Sequence, residues 1–397
     1  MRKRFLLPLL IAVAVLFFVL PQMARVYTDW LWFGEVGFTQ VFVRNLATRF
    51  GLGAVVFGIA LAAIYANVRI AQRALGQRSF TVFGPQGPRV IALDMARLKP
   101  LFLLGAAVAS LFIAMYAAGR WDVWLMARHA VAFGVNDPIL GRDVAFYVFQ
   151  LPLLQMLLTV AFAIVLLSAL AVGVAHFAGQ NLAFDPMRGL LISATARKHL
   201  AALAAVLLLL LAFRAWLAIP QALVTPSGII HGASYADVNA RIPVQWALVV
   251  VCIIGAGLAL YQATQARFWP VVSAVGLYLT VVVIGSGYAY VLQRFLVAPN
   301  EQVREEPYIG YAIKATRAGF ALDQVEERQL SGDTELSAAD LQRNGATLDN
   351  VPLWNDQPLL DTFGQLQEIR TYYDFVSVDN DRYVIDGELY GDRKSVV

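Results

Sequence analysis

A single cysteine, Cys252, occurs in the 397 residues, and it lies inside an apolar block. No intramolecular disulfide is possible, and a lone thiol in such surroundings reads as a small packing residue. Charge is scarce too. Asp, Glu, Lys and Arg make up 15% of the chain and apolar residues 59%, against about 25% charged and under half apolar in a soluble domain. The formal net charge is only +4, and the basic residues gather in particular loops. That pattern speaks for orientation in a membrane and against nucleic acid as a partner.

Catalytic signatures are missing as well. There is no GxxxxGK[ST] phosphate loop, no HExxH zinc pair and no CxxC. Gly285-Ser286-Gly287 is not a GxSxG elbow and lies in an apolar stretch without a nearby histidine. The histidines His129, His176, His199 and His231 fall in separate loops or span ends, without metal-ligand spacing. No catalytic residue, cofactor or metal site is expected from these patterns.

Long apolar runs are what the chain does have. About 20 apolar residues cross about 30 Å of hydrocarbon as a helix, and seven stretches qualify: residues 5–23, 50–67, 101–118, 151–176, 200–219, 244–261 and 271–292. Their backbone must satisfy its own hydrogen bonds in lipid, which makes them helices. Arg2, Lys3 and Arg4 before the first run resemble the start of a signal peptide. The run is long, however, and Gln22-Met23-Ala24 lacks a small-x-small cleavage pattern, so an uncleaved span is expected.

Loop charges give a direction. Arg69, Arg73, Arg78, Arg89, Arg97 and Lys99 follow span two; Arg188, Arg197 and Lys198 follow span four; Arg267 follows span six. The alternate loops mix both signs. The positive-inside rule puts the N-terminus in the cytoplasm and the C-terminal segment outside. Among the outer loops, 120–133 has the spacing of a short interfacial helix. The turn-rich string 135–143 follows it, and its Asn136, Asp137, Arg142 and Asp143 are candidate functional residues. On the inner side, 84–88 is a breaker and 90–97 is expected as a short surface helix.

Ionisable groups within the spans are few. Arg214 in span five is the fifth candidate, its gating or substrate role weighed against simple snorkelling. His176 sits at a span end. Gly51, Gly53, Gly255 and Gly257 read as close-packing positions.

Beyond residue 298 the composition turns polar, and residues 299–397 read as the start of a soluble domain. A breaker is expected at Pro307 with helical spacing after it. An amphipathic helix spans 358–373, and a strand pair spans 375–390 with turns at Asp379-Asn380-Asp381 and Asp386-Gly387. The aspartates do not fit a calcium loop.

Four strings together carry a resemblance: 29–37 (DWLWFGEVG), 136–152 (NDPILGRDVAFYVFQLP), 299–323 (PNEQVREEPYIGYAIKATRAGFALD) and 353–387, with QLQ and VDNDRY in order. The chain is similar to a bacterial membrane protein family, uncharacterised protein family 0182. The resemblance implies seven spans and a large extracytoplasmic domain, of which this chain would hold only the opening part. The stretch 390–397 departs from the family's continuation. No catalytic residues follow from it.

The expected fold is thus an all-α polytopic membrane bundle of about seven transmembrane helices, followed by a partial α+β extracytoplasmic segment. The expected role is anchoring an outer binding or envelope-organising domain in the bacterial cell membrane. A transporter or channel is the first alternative and an enzyme sited in the outer domain the second. Expected partners are the lipid bilayer and either envelope components or further copies of the chain.

Overall fold

The computed structural model describes residues 16–17, 20–74, 77–84, 87–94, 99–185, 189–227, 230–265, 268–329, 332, 337–348, 356–367 and 375–396. Most of the expected first span, 5–23, falls outside them; helix α1, Leu20–Glu35, begins at its end. Contacts divide the chain into two compact units, Met1–Asp323 and Gln324–Val397.

The first unit is built on helices α2 (Thr39–Ala71), α3 (Lys99–Gly119), α5 (Leu151–Ala178), α6 (Ala194–Gln221), α7 (Ile242–Gln262) and α8 (Trp269–Val291), with the short α4 (Trp121–Arg128) between α3 and α5. Among the described residues, six helices are long and apolar enough to cross a membrane. Helix α2 starts well before the expected residue 50, because its polar first turns need no lipid to be helical. Only Trp121–Arg128 of the expected 120–133 helix is helical.

The packing is one of small residues. Val56, Ala60, Ile64 and Val68 repeat every fourth residue along α2 and meet Ala106, Ile113 and Ala117 of α3 and Val160 of α5. Four-residue spacing keeps one face of a helix turned to its neighbour. A Cβ on Gly53 would lie 3.3 Å from Ala118 Cβ, and one on Gly255 would lie 3.5 Å from Leu208, whereas Gly51 and Gly257 face open space. The tightest approach is Gly285 of α8, where a Cβ would stand 2.4 Å from Val244 Cγ1. Large apolar side chains on the other faces, among them Leu104, Phe112, Leu170 and Val283, are exposed. Apolar surface of that extent needs a nonaqueous partner.

Three π-helical turns adjoin these helices: Phe146–Gln150 before α5, Asp237–Arg241 before α7 and Leu292–Val297 after α8. All three lie at the same end of the antiparallel bundle. The last is followed by a short 3-10 turn, Ala298–Asn300, and by helix α9, Glu301–Gly319. The helical run therefore continues from Trp269 to Gly319. Pro307 does not break it, contrary to expectation. A proline removes one N–H and restricts its predecessor, a local cost that the turns on either side absorb.

The opposite end carries hairpins that periodicity arguments missed. Strand β1 (Gln77–Gly84) pairs antiparallel with β2 (Gly87–Asp94), so the expected helix at 90–97 is a strand to residue 94, and the rest lies outside the described residues. The run Arg89-Val90-Ile91-Ala92-Leu93 is rich in β-branched residues and is closed by a two-residue connection, which favours a hairpin. Strands β3 (Leu182–Asp185) and β4 (Gly189–Ile192) form a second one. A minimal pair, β5 (Pro226–Ser227) and β6 (Ile230–His231), lies between α6 and α7, at the end of the π-helical turns.

In the second unit, α10 (Ala338–Arg343) opens with a capping box between Ser337 and Asp340 and is followed by α11 (Gly345–Leu348) and α12 (Asp356–Gln367). Strands β7 (Ser377–Ile385) and β8 (Glu388–Val396) are antiparallel about Asp386-Gly387. Both turn residues have positive φ, 53° and 87°, as a two-residue hairpin turn of this hand requires. The expected turn at 379–381 is instead continuous strand within β7.

Candidate functional site

Three polar clusters interrupt the apolar bundle. The first contains four of the five residues singled out by sequence. Val144 N–H donates to Val135 O at 2.9 Å and Asp137 N–H to Arg142 O at 2.8 Å. Asn136 and Asp143 face each other as a bridge. Within this small hairpin the Asp137 carboxylate accepts from the N–H groups of Ile139 (2.9 Å), Leu140 (2.6 Å) and Arg142 (2.8 Å) and from the Tyr147 hydroxyl (2.7 Å). Two oxygens offer about four acceptor sites, so the carboxylate is saturated. Asp143 accepts from the N–H groups of Ala145 (2.7 Å), Gly134 (2.9 Å) and Phe133 (3.2 Å).

The electrostatics agree. Burial pushes the Asp137 carboxyl up, but the hydrogen bonds from Leu140, Tyr147, Arg142 and Ile139 outweigh it and hold it below the usual range. The Ala145 N–H leads in doing the same for Asp143. These carboxylates hold the loop's backbone in place. Arg142 is used differently: its guanidinium lies 4.5 Å from the Phe146 ring centroid and 5.3 Å from that of Trp216. It ties the loop to α6 by cation–π contact.

Arg214, the fifth residue, is exposed on α6 two positions from Trp216. It lines a separate cavity of about 410 Å³ with Gln155, Thr159, Phe162 and Gln221. Gln155 Nε2 donates to Gln221 Oε1 across the mouth at 2.7 Å. The structure thus groups Asn136, Asp137, Arg142 and Asp143 in one loop and leaves Arg214 beside a different hollow.

The second cluster went unread in the sequence. Ser234 and Asp237 form a reciprocal cap: Ser234 N–H and Oγ–H donate to Asp237 Oδ2 at 2.9 and 2.8 Å, and Asp237 N–H donates to Ser234 Oγ at 3.3 Å. The next amide, that of Tyr235, donates to Glu305 of α9 at 2.9 and 3.2 Å. A helix start leaves several N–H groups without partners, and here a carboxylate from another helix takes one. Arg304 lies 5.3 Å from the Tyr235 ring centroid and donates to its hydroxyl at 3.3 Å. Ser234-x-x-Asp237 ahead of an apolar run was the available signal.

The third cluster lies at the hairpin end. Asn67 Nδ2 donates to Ala63 O at 2.8 Å, which turns its Oδ1 toward His199 Nε2, 3.1 Å away. His199 Nδ1 stands 3.4 Å from His176 Nε2, and His176 Nδ1 stands 3.4 Å from Asn181 Nδ2. A chain of polar contacts thus links both rings. The last two bonds are long and weak. Beside the rings is a cavity of about 540 Å³ lined by Ile70, Arg73, His176, Thr195, Lys198 and His199. The histidines looked isolated in sequence. His176 closes one helix and His199 opens the next, so a short hairpin brings them together. Among the described residues no group of three or more metal-ligating side chains assembles.

Similarity to known proteins is extensive. The model of the Uncharacterised protein family (UPF0182) matches residues 6–396. A UPF0182 protein of Geotalea uraniireducens is 38% identical over 392 residues, covering 96% of this chain and 43% of its own length. One from Pelobacter propionicus is also 38% identical, covering 97% and 43%. Another from Salinispora arenicola is 35% identical, covering 98% and 40%. The chain therefore spans less than half the length of these relatives. No solved structure matches it. With a family match over nearly every residue, the chain belongs to the Uncharacterised protein family UPF0182.

Proposed function

We propose that the protein is a multi-pass component of a bacterial cell membrane whose bundle anchors an extracytoplasmic domain for binding or envelope organisation. In this reading about seven spans lie within residues 1–298, the N-terminus is cytoplasmic, and residues 299–397 begin the outer domain. The supporting observation is where the polar groups stand. Asn67, His176 and His199 cluster at one end of the helices, and Asp137, Tyr147, Asp237 and Glu305 at the other. Between them the α5–α6 seam is apolar, with Val172, Leu203, Leu158 and Leu217 buried. A conduit needs a polar wall through the middle; an anchor does not. Envelope components or a second copy of the chain are the partners this role calls for.

Transport is the second reading, favoured by the Arg214 hollow at one end of α5–α6 and the histidine-lined hollow at the other. Thr159 and His176 are 17 positions apart on α5, or about 26 Å at helical rise. Purified protein in liposomes, loaded with small ions and solutes, separates the two readings. Anchoring predicts no protein-dependent flux. Flux that Arg214→Ala abolishes would replace it with transport.

A further inference from the structure

We propose that the cavity between the end of α2, the end of α5 and the first turns of α6 binds an anionic phosphate group, with Arg73 and Lys198 as its ion-pairing side chains. The inference goes beyond the anchoring role and does not depend on it.

Three observations converge. The first is size and form: about 540 Å³ lies within the range of small-ligand sites, about 300–1,000 Å³. The second is charge. Arg73 and Lys198 come from different helices to one hollow, and among the described residues no carboxylate lines it. Unopposed cations converging from separate elements are the ordinary means of holding phosphate.

The third is the helix start. Thr195, Lys198 and His199 belong to the first turns of the 28-residue α6. Its Ser193 cap takes the Ala196 N–H, and the positive end of the helix dipole adds to the potential of the two lining cations.

The histidines have another part. The two rings are linked to each other and to Asn67 and line the cavity beside the cations. Among the described residues no third metal-ligating side chain joins them, so the cavity is read as an anion site and not a metal site.

The phosphate can come from a lipid headgroup or from solution. Basic pockets between spanning helices commonly take acidic headgroups, and Arg73 and Lys198 are both exposed. The test uses the full chain in detergent, with the variants Arg73→Gln/Lys198→Gln and, as a charge control at the other end of the bundle, Arg128→Gln. Native mass spectrometry reads retention of phosphatidylglycerol against phosphatidylcholine. Isothermal titration reads inorganic phosphate.

The double variant should weaken binding at least about tenfold, as expected on removing two charge-assisted contacts, while R128Q binds like the parent. Selective phosphatidylglycerol retention that phosphate does not displace assigns a lipid. Phosphate binding in lipid-free detergent, lost in the double variant, assigns a soluble ligand. Equal retention by parent and double variant, or no preference for either probe, overturns the proposal. The double variant's melting profile must match the parent's, and Arg73→Lys should restore most of the affinity.

Discussion

At the scale of single residues, Gly285 and Asp137 make the sharpest claims. The missing side chain at Gly285 lets Val244 of α7 press against α8, and a methyl there would overlap Val244 Cγ1 at 2.4 Å. Gly285→Ala should lower stability by roughly 1–3 kcal/mol, the usual cost of overpacking. Adding Val244→Ala should recover most of it. Thermal denaturation of the single and double variants in detergent decides this; a double variant no more stable than G285A would mean the strain lies elsewhere.

Asp137 predicts a pH dependence with a definite sign. Its folded carboxyl titrates below its ordinary value. The stability it contributes is therefore fully present above the unfolded value, about 3.9, and is lost as pH falls through the depressed folded one. Hydrogen exchange at Leu140 and Arg142, corrected for intrinsic rates, should show constant protection from neutral pH down to about 4 and falling protection below that. Asp137→Asn should remove that dependence and cost roughly 1–3 kcal/mol in hydrogen bonds to charge. The string around Asp137 was visible in sequence as turn chemistry. Its carboxylate's saturation was not, because it depends on four donors that only the folded loop aligns.

At the scale of elements, the apolar runs were legible because lipid demands length and hydropathy, which one sequence displays directly. Helices 99–119 and 194–221 fall close to expectation for that reason. Polar extensions were not legible. Nothing in the composition after residue 298 signals that Leu292–Val297, Ala298–Asn300 and Glu301–Gly319 continue one helix. Pro299 and Pro307 point the other way by propensity, and tertiary contact overrides them: Glu305 takes the Tyr235 N–H, and Arg304 lies against the Tyr235 ring. Glu305→Ala should unfasten α9 from the start of α7. Exchange at Tyr235 should accelerate about tenfold or more, as the loss of a charge-assisted bond implies, while amides in α2 and α3 keep their protection. Unchanged exchange at Tyr235 would show that the contact does not hold the helices together. The hairpins at 77–94 and 182–192 were missed because short alternating runs in charged loops look alike as strand or helix, and only the pairing of Gln77–Gly84 with Gly87–Asp94 and of Leu182–Asp185 with Gly189–Ile192 decides it.

At the scale of the whole molecule, the loop charges make one orientation the natural hypothesis. A reporter active only outside the cytoplasm, fused after Asn344, should be active, and one fused after Arg73 should be silent. The reverse pattern would invert the assignment and place the Arg73–Lys198 cavity on the outer face.

The helical run from Trp269 to Gly319, jointed at Leu292–Asn300 by a π turn and a 3-10 turn, has a mechanical meaning. Its 51 residues measure about 75 Å along the axis, more than twice the roughly 30 Å of hydrocarbon. Its two α-helical parts, Trp269–Val291 and Glu301–Gly319, are stiff, and the joint between them is the compliant point. A load applied at Gly319 passes down a ladder of backbone hydrogen bonds, and the Glu305–Tyr235 clasp is a point where part of it is shared with α7. Gly285, seated against Val244, is where a twist of the rod would next be felt.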